Sequence, residues 1–87
     1  MTKLFLTNIP YDCEDAELRR WFESQGFDVN SLHVIRDLVA GVSPAFGYVS
    51  LGNGIRVVDA IKILDGQNLK GRTVQVREDW RNEYHGG

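Results

Sequence analysis

The feature that most constrains this chain is a twofold switch between two hydrophobic periods. Lys3 to Thr7 alternates, with Leu4 and Leu6 on one parity and Lys3, Phe5 and Thr7 on the other, as a strand requires. Pro10, within Asn8-Ile9-Pro10-Tyr11-Asp12, then denies a ladder donor and breaks the run. From about Glu14 to Gln25 the spacing is helical, through Leu18, Trp21, Phe22 and Gln25. Glu14, Asp15 and Glu17 favour the positive end of that helix, and Gly26 is placed to end it. Period two returns over residues 31–36, with Leu32 and Val34 inward, and over 46–51, with Gly47, Val49 and Leu51 inward. A second helix is expected over residues 54–64, capped by Asn53 and carrying the stripe Val57, Ala60, Ile61 and Leu64. Asp65-Gly66 and Lys70-Gly71 mark turns before a last strand over 73–77, with Val74 and Val76 inward.

The order is β-α-β-β-α-β. It predicts an α+β, ferredoxin-like sandwich, in which two helices cover one face of a four-stranded antiparallel sheet. With 87 residues, the chain suits one domain, expected over residues 1–79. Residues 80–87 show no period and are expected to be flexible or to lie on the sheet.

Cys13 is the single cysteine, so no intrachain disulfide forms, and it is expected to be a buried free thiol. His33 and His85 are far apart and no Cys/His cluster has zinc spacing, so neither metal nor cofactor is expected. No leader pattern or long apolar run appears, which points away from membranes and towards a reducing interior such as the cytoplasm. A monomer is expected. No acid, base and nucleophile converge in the sequence, which argues against an enzyme.

Strand parity carries the functional signal. If Leu4 and Leu6 face the helices, Phe5 faces away; if Val49 and Leu51 face them, Phe46 and Tyr48 face away, with Ser50. Neighbouring placement of those strands joins the three rings into one open patch, and flat rings on a sheet suit stacking against bases. Lys3, His33, Gln75 and Arg77 share the outward parity, either as bonding groups around the patch or as ordinary solvated residues. Arg19-Arg20 reads as a solvated helix face.

Leu4-Phe5-Leu6-Thr7-Asn8-Ile9 resembles the shorter ribonucleoprotein signature of the RNA recognition motif family. Pro44-Ala45-Phe46-Gly47-Tyr48-Val49-Ser50-Leu51 resembles the longer one. Asn8 to Asp12, Leu18 and Phe22 look like the family's first loop and helix, and Ala60-Ile61, Leu64, Gly66 and Gly71-Arg72 like its second helix and the approach to its last strand. The resemblance implies single-stranded RNA as partner, with Phe5, Phe46 and Tyr48 stacking on bases or ribose.

The sequence departs from the pattern at Pro44, where the family usually has a phosphate-binding Lys or Arg, at Ala45 for glycine, and at Leu51 for an aromatic. The segment Asp37 to Ser43 holds no basic residue, and net charge is −2 with a pI near 5.6. Weak to moderate affinity follows, because phosphate contacts supply most non-specific binding. Two alternatives stay open. Trp80 and Tyr84 can fold over the rings and make them core, or the fold can serve as a protein-interaction module through the apolar loop Leu38, Val39 and Val42. Arg81 can support RNA from the tail.

Overall fold

The computed structural model describes residues 2–36, 45–52 and 54–80. Along the chain run β1 (Thr2–Ile9), α1 (Asp15–Glu23), β2 (Val29–Ile35), β3 (Ala45–Leu51), α2 (Val57–Leu64), β4 (Asn68–Leu69), β5 (Arg72–Thr73) and β6 (Gln75–Glu78). The main sheet has the antiparallel order β2-β3-β1-β6, and β4 and β5 pair separately. Leu4, Leu6, Val49, Leu51, Val74 and Val76 meet Leu18 and Phe22 of α1 and Ala60 and Leu64 of α2 in one buried cluster. Both helices therefore cover the same face, as the β-α-β-β-α-β order predicts. Phe22 is fully buried, a burial worth about 1.5–3 kcal/mol.

The helices are shorter than the sequence suggests. In α1, Glu14 has extended backbone (φ −78°, ψ 158°) and forms the N-cap. Gln25 leaves the helix because the last turn tightens, with Gln25 N–H to Phe22 O at 3.1 Å and Gly26 N–H to Glu23 O at 3.0 Å. Gly26 then takes φ +89°, a left-handed stop open to glycine. In α2, Gly54 takes φ +77° and cannot start a helix, so Arg56 becomes the N-cap. The expected cap Asn53 lies outside the described residues, as does the loop with Leu38, Val39 and Val42.

The last strand also differs. Thr73, expected to open it, pairs instead with Asn68 in a small hairpin. Lys70 and Gly71 both have positive φ, 51° and 91°, the requirement of the tight turn that matches strand twist. The edge strand β6 then begins at Gln75, after Val74 has bonded Gln67 O at 2.9 Å.

Two register shifts shape the sheet. Leu6 pairs with Gly47 and Ile9 with Ala45, so β1 carries one extra residue. That bulge turns Ile9, otherwise on the parity of Phe5 and Thr7, fully into the core. A similar shift between Val29 and Ser31 lets Val29 be buried alongside partly buried Leu32 and Val34.

Candidate nucleic-acid interface

Pairing aligns four of the proposed residues across the whole sheet. His33 of β2 faces Tyr48 of β3, Tyr48 faces Phe5 of β1, and Phe5 faces Arg77 of β6. Phe46 lies two residues along β3 from Tyr48, on the same face. The three rings touch: Phe5–Tyr48 centroids are 5.1 Å apart, Phe5–Phe46 5.9 Å and Phe46–Tyr48 6.2 Å. All three are half-buried, while Leu4, Leu6 and Val49 on the opposite parity are buried. Tilted and edge contacts of this kind are favoured between ring quadrupoles.

The remaining residues flank this row on either side. Gln75 faces Thr7 and accepts its hydroxyl at 3.4 Å, at the end of the sheet nearer Phe46. Lys3 faces Ser50 at the other end. Arg77, Gln75 and His33 are exposed and Lys3 half-buried. All seven residues thus share the face away from the helices. Ser50 shares it too but is buried, in the interior strand between Lys3 and Ser31. Arg19 and Arg20 are exposed on α1, across the sheet from the rings.

Two residues gain a place that the sequence alone did not assign. Arg72 is exposed on the β4–β5 hairpin, and its Nε and NH2 both donate to Asn8 Oδ1, at 3.1 and 2.7 Å. Asn8 Nδ2 donates to Thr73 O at 2.7 Å, and Asn8 itself sits in the bulge at φ 66°. The signal lay in the residue type, since Asn tolerates the left-handed region and bonds locally. Trp80 is 59% exposed and stands beside Phe5 and Tyr48, rather than closing over the rings. Tyr84 and Arg81 lie outside the described residues.

Cys13 is buried among core residues, with its thiol pushed up mainly by desolvation, and secondarily by the Glu17 carboxylate. It is remote in role from the open face: Arg36 binds the Cys13 carbonyl and pairs with Asp15 at 3.3 Å, tying the end of β2 to the start of α1.

The family model described as RNA recognition motif matches residues 4–75. The chain belongs to the RNA recognition motif family. This RNA recognition motif is 39% identical over 74 residues to a 28 kDa chloroplastic ribonucleoprotein of Nicotiana sylvestris, covering 85% of the chain and 26% of that protein. It is 38% identical over 81 residues to the RNA-binding protein BRN1 of Arabidopsis thaliana, covering 91% of the chain and 18% of that protein. The motif therefore spans about a quarter or less of the length of these curated relatives. Among solved structures, the third RNA recognition motif of Mip6 superposes with TM-score 0.76 at 21% identity, covering 88% of this chain and 90% of that one. The RNA recognition domains 1 and 2 of Drosophila melanogaster Sex-lethal give TM-score 0.70 at 28% identity, covering 95% and 52%.

Proposed function

We propose that this RNA recognition motif binds single-stranded RNA on its open sheet face. Phe5, Phe46 and Tyr48 stack on bases or ribose, and Lys3, His33, Gln75 and Arg77 bond phosphates and base edges around them. The observation that carries the reading is the contact of three half-buried rings on the face opposite the two described helices. The named RNA-binding and ribonucleoprotein relatives support the same class of partner. Each stacked base contributes about 1–3 kcal/mol without demanding one sequence. Affinity is weak to moderate, because the face offers few cations among the described residues, and the domain acts as a monomer without catalysis or cofactor. A reducing interior such as the cytoplasm, as the sequence suggests, stays part of this proposal.

Titration of the chain with a pool of short single-stranded RNAs tests the reading. Binding that weakens in Phe46→Ala while the protein stays folded supports it. Absence of binding even at low salt overturns it and favours a protein-interaction module on the same fold.

A further inference from the structure

Arg36 pairs with Asp15, Arg56 with Asp59, and Lys70 with Asp12 and Glu17. Arg72 does not follow them. It is exposed, and its Nε and NH2 converge on one neutral acceptor, Asn8 Oδ1, at 3.1 and 2.7 Å. Among the described residues it forms no ion pair with a carboxylate. An amide oxygen fixes the plane of a guanidinium without cancelling its charge. The bonds to Asn8 engage Nε–H and one NH2 hydrogen, so the NH1 hydrogens and the second on NH2 have no partner among the described residues.

The mount is firm on both sides. Asn8 Nδ2 donates to Thr73 O at 2.7 Å, so the amide is held at its nitrogen as well as its oxygen. The hairpin that carries Arg72 is tied to α1, where Asn68 O accepts the Trp21 indole N–H at 3.1 Å and Lys70 meets Glu17 at 3.1 Å. A long side chain ordered before its ligand arrives loses less entropy on binding.

Place matters as much as charge. Asn8 follows Thr7, which faces Gln75 at the Phe46 end of the ring face. Ala45, the first residue of β3, faces Ile9, next to Asn8. No cation reaches this end from β3 or the segment before it: Pro44 precedes the strand, and residues 37–43 hold no Lys or Arg. Arg36 is bound to the Tyr11 and Cys13 carbonyls beside α1. Lys3 lies at the opposite end, facing Ser50, and Arg77 faces Phe5 in the middle. A strand of RNA that runs over Phe5 and Phe46 therefore leaves the rings beside Arg72, whose planar fork matches two phosphate oxygens.

We infer that Arg72, oriented by Asn8, holds a phosphodiester of bound RNA at the Phe46 end of the sheet. This rests on the RNA-binding reading and adds to it a phosphate site and a positioning residue, Asn8.

Short oligo(U), oligo(A), oligo(C) and a mixed guanine-containing RNA are titrated into the full chain across a salt series, with thermal melts so that affinity is read per folded molecule. Arg72→Gln weakens all the RNAs alike and makes the slope of log affinity against log salt shallower by about 0.7, the share of one phosphate on a single strand. Arg72→Lys keeps the charge and most of the slope, with lower affinity because the fork is gone. Asn8→Asp separates a phosphate contact from a structural clamp, and it serves alone if Arg72→Gln fails to fold. Its carboxylate still accepts both Arg72 donors but neutralises them, so a clamp survives while the slope drops as in Arg72→Gln. Arg20→Gln, on α1 across the sheet, leaves the slope unchanged. If Arg72→Gln and Asn8→Asp keep the parent's slope, Arg72 only ties the hairpin to β1 and the inference falls. If the loss is confined to the guanine-containing RNA, Arg72 reads a base edge and the inference falls. In both cases weakening by Phe46→Ala leaves the platform reading standing. If no RNA binds the parent chain, both readings fall together.

Discussion

Phe5 stands directly opposite Tyr48 across the β1–β3 ladder, their ring centroids 5.1 Å apart and their planes inclined by 38°. A cross-strand pair of this kind stabilises a sheet by about 0.2–1 kcal/mol, less than a core side chain. Truncating either ring should therefore affect ligand more than fold. Phe5→Ala, Phe46→Ala and Tyr48→Ala are each expected to cost about 1–3 kcal/mol of RNA affinity. Leu6→Ala, from the buried parity, should lower stability by about 2–5 kcal/mol and leave affinity per folded molecule unchanged. Thermal melts paired with RNA titrations separate the two classes. A Phe46→Ala protein that melts as early as Val49→Ala, with unaltered RNA affinity, means that the rings are core.

The salt dependence of binding should be shallow. Among the described residues, Lys3 and Arg77 are the lysine and arginine on the ring face, with Arg72 at its margin. Release of counterions from one to three phosphates of a single strand gives a slope of log affinity against log salt of about −0.7 to −2. A slope near −4 or steeper would place the basic surface somewhere else.

Asn8 joins the bulge of β1 to the β4–β5 hairpin. Asn8→Ala removes its bonds to Thr73 and Arg72 and leaves a Cβ in the left-handed region, and should destabilise the fold by about 1–3 kcal/mol. Asn8→Gly loses the same bonds without the strain, so it should be the milder change. Denaturant melts of both variants check the order, and an Ala variant as stable as the parent would show that the clamp contributes nothing.

Burial pushes the Cys13 thiol up from the ordinary thiol range, mainly by desolvation, and so disfavours the reactive thiolate. Alkylation by a soluble maleimide should be slow in the native protein and should accelerate sharply through the unfolding transition. Native-state labelling as fast as that of a free peptide thiol would contradict the burial.

Glu17 is held below the ordinary carboxylate range, first by the Glu14 N–H at 2.9 Å and then by Lys70. A carboxyl depressed in the fold contributes stability that is complete above the ordinary carboxylate range and is lost as pH falls through its lower folded value. Glu17→Gln should flatten the acid limb of a stability–pH curve while changing little at its bottom. Parallel acid limbs for the two proteins would remove this contribution.

The alternation of Leu4, Leu6, Val49 and Leu51 against Phe5, Phe46 and Tyr48, with Leu32 and Val34 and with Val74 and Val76 on the inward parity of the other two, made the four main strands, the covered face and the aromatic face legible from the sequence. The helical stripes through Leu18 and Phe22 and through Ala60 and Leu64 did the same for the helices. These are local properties: side-chain direction along a strand or helix follows from backbone geometry alone. Register is not local. Which residue faces Phe5 depends on how two distant segments align, so the row His33–Tyr48–Phe5–Arg77 emerged only in the folded sheet. The bulge that carries Ile9 inward reflects a mismatch in residue count between β1 and β3, and no single segment records it. Positive φ at Lys70 likewise came with the hairpin, and it moved the start of the last strand to Gln75. Trp80 had no period to place it; its position beside the rings follows from the Asp79–Lys3 bond that ends the sheet. Composition and period determined the elements and their faces, whereas pairing between distant strands decided which side chains meet on the open face.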